Sequence, residues 1–154
     1  MSITCLGQSQ NFDEFIQSNI KYAVPIIKVA DIENLDNYTL LDSRERNEYE
    51  TSHLPDAIHT GYDHFDINQT QKLVPNKSTP IIVYCSIGVR SELIGERLIK
   101  AGYTEVYNLY GGIFEWKNQS REVYNSNNEV TEEIHTFSKE FSKWLTNGTI
   151  IYDK

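Results

Sequence analysis

The residue types able to do chemistry are concentrated in Ile81-Ile82-Val83-Tyr84-Cys85-Ser86-Ile87-Gly88-Val89-Arg90-Ser91-Glu92. A continuous, uncharged run of strand-forming residues ends at a cysteine. A short loop with one glycine follows, and then a helix begins. In open α/β sheets, ligands bind beyond the carboxyl ends of strands, and Cys85 stands at such an end. The backbone N–H groups of Ser86, Ile87, Gly88 and Val89 can curl around a common centre as an anion-binding nest. Gly88 permits the backbone conformation such a curl needs. Ser91, with Glu92 beside it, is the expected start of the helix. A helix start and the nearby Arg90 guanidinium both favour thiolate, the nucleophilic form of cysteine. The bland alternative is a buried cysteine serving as a small hydrophobe. The order strand, cysteine, loop, arginine, helix favours the functional thiol.

These residues need elements to hold them. Ile81 to Tyr84 reads as a strand, and its unbroken apolar character suits a parallel sheet covered on both faces. Ser91–Lys100 follows as an amphipathic helix with Leu93, Ile94, Leu98 and Ile99 on one side, closed by Gly102. Strands are expected at Ile26–Val29, Tyr38–Leu41, Ala57–His59 and Val106–Leu109. Strands alternating with helices imply parallel β-α-β units. Asp42 ends its strand on the same sheet edge as Cys85, placed to pair with a loop or helix group and hold the cradle rigid. Asn11–Ile20 has helical apolar spacing. Residues 125–130 read as a polar linker. Ile134, Phe137, Phe141, Trp144 and Leu145 then form the apolar face of an expected last helix that packs back on the domain.

The bulk properties bound the function. The chain has 154 residues, enough for one domain with extensions and a real core. With 22 acidic against 14 basic residues the net charge is −8, and no basic stripe for nucleic acid appears. An anionic substrate would have to be held by local groups. No run approaches the ~18 apolar residues needed to cross a bilayer, and the first residues show no basic and apolar leader pattern. The two cysteines, Cys5 and Cys85, leave no metal spacing and fit a reducing, cytoplasmic compartment. No cofactor or metal is expected.

Three ordered segments together resemble the rhodanese family of sulfurtransferases. CSIGVRS (85–91) is similar to the family's active-site loop. LLDSRERNEYETSHLP (40–55) is similar to D-x-R-x-x-x-E-Y-x-x-G-H-I-P, and AGYTEVYNLYGGIFEW (101–116) to the closing G-[FY]-x-x-V-x-x-L-x-G-G motif. The resemblance implies an α/β fold: a rhodanese-like three-layer domain whose central, mostly parallel sheet is flanked by helices. It divides the chain into an N-terminal extension with a short helix (1–25), the rhodanese-like domain (26–124) and a C-terminal helical extension (125–154). It implies that Cys85 is catalytic, that Ser86, Ile87, Gly88, Val89 and Arg90 bind substrate, and that Asp42, Arg44 and Ser91 support them. Glu48 and His53 would sit near Asp42 and Arg44. The implied partners are a small anionic sulfur donor such as thiosulfate, a thiol or cyanide acceptor, and a protein persulfide as donor or acceptor. Sulfur would travel as a Cys85 persulfide in a ping-pong cycle.

Ser52 and Asp56 stand where the family favours glycine, and a local turn difference is expected there. Arg90 is the only cation in the loop, so thiosulfate is expected to be a weak donor. Cys5 is a second thiol, but its place in the N-terminal extension disfavours a role in resolving a persulfide; Tyr62, His64 and Phe65 are candidates for the mouth of the site. Two alternatives remain. Cysteine-dependent phosphatases carry C-x5-R, whereas four residues separate Cys85 from Arg90 here. Non-catalytic rhodanese-like binding modules often lack the cysteine.

Overall fold

The structure, a computed structural model, describes residues 11–153. Cys5 lies outside the described residues. Helix α1 (Phe12–Asn19) opens the described chain. The Asn11 side chain accepts from the Glu14 N–H while the Glu14 carboxylate accepts from the Asn11 N–H, a reciprocal cap.

Strands β1 (Ile26–Ile27), β2 (Thr39–Asp42), β3 (Ile58–His59), β4 (Ile81–Tyr84) and β5 (Val106–Leu109) form one sheet in the order β1-β5-β4-β2-β3. Every pairing within it is parallel. Helices α2 (Arg46–Thr51), α3 (Ile67–Leu73), α4 (Val89–Lys100) and α5 (Gly112–Asn118) connect and flank the strands. The central strand β4 is buried along its whole length. Its period of two sends Ile81 and Val83 into one core and Ile82 and Tyr84 into the other. Helix α4 covers the first core with Ile94 and Leu98, and α5 covers the second with Ile113, Phe114 and Trp116. Both faces are covered, which is why the strand reads as an unbroken apolar run.

The apolar face of α4 is narrower than expected. Leu93 and Ile99 are exposed. The buried residues are Ser91, Glu92, Ile94, Gly95 and Leu98; Ser91, Ile94, Gly95 and Leu98 follow the i, i+3, i+4, i+7 spacing of one helix face. At ~100° per residue, Leu93 falls about 150° from the centre of that row and Ile99 about 90° on the other side.

Two expectations for the C-terminal region are corrected. Residues 125–130 are no linker: strands β6 (Val123–Tyr124) and β7 (Val130–Thr131) pair antiparallel, with a turn between them. Asn125 builds that turn by accepting from the N–H groups of Asn127 and Glu129. Residues 134–145 form no α-helix either. Ile134 lies in β8 (Glu133–His135), which pairs in parallel with β9 (Thr149–Ile151). Between them runs a single 3-10 turn, Phe141–Trp144. The apolar spacing was helical, but Thr136 and Ser138 interrupt it. The Thr136 hydroxyl donates to the Ser138 carbonyl (3.1 Å), and the Ser138 hydroxyl accepts from the Phe141 N–H (3.3 Å). Such local bonds offer the backbone an alternative to the helix.

Even so, Ile134, Trp144 and Leu145 are buried in the α5-side core. The Trp144 ring stacks on Phe12 and Phe15 of α1, with centroids 5.4 and 5.3 Å away. The segments before β1 and after β7 thus close over the same side of the sheet. No described helix is long and apolar enough to cross a membrane.

Trp144→Ala should cost about 3–5 kcal/mol of folding stability, the usual range for emptying an aromatic from a core. Urea unfolding followed by far-UV circular dichroism measures it. A loss below about 1 kcal/mol would mean that the two terminal segments do not belong to the core.

Candidate functional site

Strand β4 ends at Tyr84 and α4 begins at Val89, so Cys85–Gly88 is the connection. Gly88 is the residue before the helix, at φ 115° and ψ 0°, a left-handed conformation that a side chain would oppose. This turns its N–H onto Cys85 Sγ at 3.1 Å. Gly88 brings no side chain to cap α4, so the first-turn N–H groups lack the usual side-chain acceptor. Ser91 is not the helix start. It lies inside the first turn, fully buried, with its hydroxyl 3.5 Å from Cys85 Sγ and donating to Asn108 Oδ1 at 2.6 Å.

The outer side of the loop is fixed by α5. Its Ile113 and Phe114 N–H groups donate to the Cys85 and Ser86 carbonyls at 3.0 and 3.2 Å. This approach needs a residue without a side chain. A Cβ on Gly112 would stand 2.3 Å from the Cys85 oxygen and 2.5 Å from the Ser86 oxygen, and Gly112 itself has φ 57°. Gly112 therefore serves the cysteine loop directly.

Two acid–base pairs support the cradle. Glu48 of α2 takes Arg90 in a two-pronged bridge, with Nη1 to Oε2 2.7 Å and Nη2 to Oε1 2.9 Å. The Ser86 hydroxyl lies between them, 3.2 Å from Glu48 Oε1 and 3.0 Å from Arg90 Nη2. Burial alone would raise the Glu48 pKa; the Arg90 hydrogen bonds and charge overcome this and hold the carboxyl below its ordinary value. Burial likewise works against the Arg90 charge, but the hydrogen bonds it donates to Glu48, with a contribution from the Cys85 sulfur, raise its pKa. Deeper still, Arg44 is fully buried. It donates to both Asp42 oxygens, with Nη2 to Oδ2 at 2.7 Å, and to the Ser52 carbonyl at 2.6 Å. The Tyr84 hydroxyl donates to Asp42 Oδ2 at 2.7 Å and accepts from the Leu54 N–H at 3.1 Å. Burial first, and then the Asp42 charge, push the Tyr84 pKa well above the usual value. Asp42 thus grips Arg44 and the strand that carries Cys85.

Asn108 on β5 is a residue that sequence reasoning missed. Besides accepting from Ser91, it donates to the Gly88 carbonyl (2.9 Å) and to Glu92 Oε2 (3.1 Å). Glu92 Oε1 in turn accepts from the Ala23 and Val24 N–H groups. The available signal was a polar residue inside the otherwise apolar strand VYNL, since a buried polar group is the informative exception. Glu48 was named only as a neighbour of Asp42 and Arg44, yet it is the partner of Arg90. His53 does not join this group. It stacks on Tyr49 with centroids 4.2 Å apart, and its Nδ1 faces the Tyr49 carbonyl at 3.1 Å. Asp56 takes φ 56°, the left-handed conformation a glycine adopts without strain.

Cys85 is 1% exposed. With Ser86, Ile87, Val89 and Arg90 it borders a cavity of about 210 Å³ whose opposite side is Phe15, Asn19, Phe137 and Phe141. Tyr62, His64 and Phe65 are not part of that wall. Phe65 is buried in the α4-side core, Tyr62 packs against it, and His64 borders a separate cleft with Glu45 and His59. Among the described residues, no group of three or more His, Cys, Asp or Glu side chains could hold a metal ion. The arrangement can hold a sulfur nucleophile at the end of a buried strand, under donated hydrogen bonds, facing a small cavity.

Comparison with known proteins fits this geometry. The model of the rhodanese-like domain family matches residues 28–119. A thiosulfate sulfurtransferase GlpE of Coxiella burnetii is 32% identical over 78 residues, which are 51% of this chain and 70% of that protein. A tRNA uridine(34) hydroxylase of Photorhabdus laumondii is 34% identical over 93 residues, 57% of this chain but 26% of that one. Among solved structures, a rhodanese-related protein of Thermoplasma volcanium superposes with a TM-score of 0.56 at 26% identity, covering 64% of this chain and 96% of its own. A thiosulfate sulfurtransferase of Pseudomonas aeruginosa shares the fold, with a TM-score of 0.60 at 22% identity over 79% of this chain and 23% of that one.

Two outcomes follow from the geometry. The Glu48 carboxyl titrates lower in the folded chain than in the unfolded one, so its contribution is complete above its ordinary value of 4.5 and is lost as pH falls through the folded value. Glu48→Gln should therefore cost about 3 kcal/mol at pH 7, with the difference from wild type shrinking as pH falls below 4.5. Stability curves at several pH values decide this, and a difference independent of pH would refute the assignment. Gly112→Ala should destabilise by at least ~2 kcal/mol, and its melting temperature is the readout; a wild-type value would show that the α5 approach is looser than described.

Proposed function

Because the chain belongs to the rhodanese-like domain family, we propose that it is a sulfurtransferase carrying sulfane sulfur as a persulfide on Cys85. The observation that carries this reading is the Gly88 N–H donated to Cys85 Sγ at 3.1 Å, at the carboxyl end of the central strand. A donor so placed meets the negative charge of a thiolate or, one atom further out, of a persulfide.

In this reading the Cys85 thiolate attacks the outer sulfur of the donor. With thiosulfate, the sulfur–sulfur bond breaks and sulfite leaves with the electron pair. The Cys85 persulfide remains in the cradle. An acceptor nucleophile, cyanide or a thiolate, then attacks the outer sulfur and regenerates the cysteine. Donor product leaves before acceptor enters, which gives ping-pong kinetics. The chain's own residues divide the work. Gly88 and the first turn of α4 face the sulfur charge. Ser91 and Asn108 hold the Gly88 turn in place. Glu48 and Ser86 keep Arg90 fixed beside the loop, and Asp42, Arg44 and Tyr84 hold the strand end below it. Ile87 and Val89 close the cradle with apolar bulk. The four-residue interval between Cys85 and Arg90 favours sulfur over the larger phosphoryl group of the cysteine phosphatases. The complete loop favours catalysis over a purely binding role.

Intact-mass measurement tests the proposal. Incubation with a sulfane-sulfur donor should add one sulfur, about 32 Da, removable by cyanide or dithiothreitol through attack on the persulfide. Cys85→Ala should show no such gain. If no donor, whether thiosulfate, an organic thiosulfonate or a small persulfide, modifies the wild type, the sulfurtransferase reading is wrong.

A further inference from the structure

The cavity over Cys85 has walls that the family match does not supply. That match ends at residue 119 and begins at 28, whereas Phe15 comes from α1 and Phe137 and Phe141 from the connection between β8 and β9. Among these, Phe137 stands out. It is half exposed, and it holds φ 68°, a conformation that bulky residues seldom adopt. Backbone strain of this kind persists where the surroundings enforce it and clusters at functional sites. Here the Phe137 N–H donates to His135 Nδ1 at 3.0 Å, which pins the turn. The ring then lies over the Arg90 guanidinium at 5.0 Å and beside Phe141 at 5.8 Å. Phe141 meets Phe15 edge-on at 6.0 Å. Three phenyl rings from two segments converge above one sulfur.

The charged and polar side chains around this space are already engaged. Arg90 and Ser86 are tied to Glu48, and the Asn19 amide donates to the Phe15 carbonyl at 2.7 Å. The cavity thus offers an incoming dianion no uncompensated cation, in a chain whose net charge is −8. Its size is informative as well. An apolar protein cavity of about 150 Å³ takes up benzene, so about 210 Å³ suits one aromatic ring and the sulfur it carries.

We propose that the Phe15–Phe137–Phe141 pocket binds the aryl group of an aromatic organosulfur substrate and delivers its sulfane sulfur to Cys85, in preference to inorganic thiosulfate. This rests on the persulfide reading above and names its substrate class. Phe137 is then a specificity residue. With an aryl thiosulfonate, the Cys85 thiolate attacks the terminal sulfur and the sulfur–sulfur bond breaks. The arenesulfinate departs with the bonding electrons, and the outer sulfur stays on Cys85.

The test compares benzenethiosulfonate with methanethiosulfonate, which present the same reacting group on different substituents. For each donor, kcat/KM of the full chain is divided by the rate with free glutathione, so that intrinsic reactivity cancels. The aryl donor should be preferred by about 100-fold, as expected for several extra carbons in an apolar pocket. Phe137→Ala should reduce that preference about tenfold, and Phe137→Leu, which keeps bulk without the ring, should fall between. Wild-type values that are equal for the two donors, while both load sulfur on Cys85 by mass, overturn this inference and leave the persulfide reading standing. A preference that survives in both Phe137 variants overturns the role of that ring. No sulfur on Cys85 from any donor removes the persulfide reading and this inference together.

Discussion

The site depends on where the carbonyls of Cys85 and Ser86 point. A trans peptide plane sets a C=O and the following N–H on opposite sides. Pinning those two carbonyls to the start of α5 therefore turns the Ser86 and Ile87 N–H groups away from α5. The loop becomes a cradle because its acceptors are occupied on the outside. Gly112 is the condition for this, since any Cβ there would occupy the space of the two oxygens. Gly112 after β5 and the cysteine after β4 are far apart in sequence but belong to one contact.

Electrostatics around the cradle follow a similar logic of mutual constraint. Two carboxylate–guanidinium pairs, Asp42–Arg44 and Glu48–Arg90, are drawn from the end of β2, the short segment that follows it and the first turn of α4. Buried pairs contribute little net stability compared with apolar packing, but losing one member leaves an uncompensated charge. Their value here is geometric. Arg44 is held by both Asp42 oxygens and the Ser52 carbonyl, and Asp42 is also held by Tyr84. The last residue of the strand before the cysteine thus cannot shift without disturbing the Asp42–Arg44 network. Arg90 is fixed in the same way by Glu48 and Ser86.

Much of this was legible in the amino-acid order, because it rests on local signals. The apolar run 81–84, the glycine at 88 and the alternation of strands with helices require only periodicity and backbone preference. The family was legible for a different reason, the resemblance of three ordered segments, and the family match over residues 28–119 agrees with it. What escaped were features decided by tertiary contact. Ser91 looked like a cap, but the glycine ahead of it took that position and left the hydroxyl to face the sulfur. Asn108 was read only as part of the strand Val106–Leu109, because its partners lie on other elements. The segment 134–145 had helical spacing, yet a strand partner at 149–151 and side-chain bonds from Thr136 and Ser138 gave its backbone a better arrangement. The roof over Cys85 could not be foreseen once that segment was read as a helix, since Phe137 would then have pointed with its neighbours into the core.

The buried carboxylate of Glu92 adds a mechanical reading. One of its oxygens takes both N–H groups of residues 23 and 24, and the other takes the Asn108 amide that also grips the Gly88 carbonyl. The chain entering β1 and the hinge of the cysteine loop are therefore tethered to the same anion. Pulling the entering segment away would strand that anion without two of its donors, at about 1–3 kcal/mol for each group left unsatisfied. A single side chain therefore joins the approach to the first strand to the turn that closes the cysteine loop.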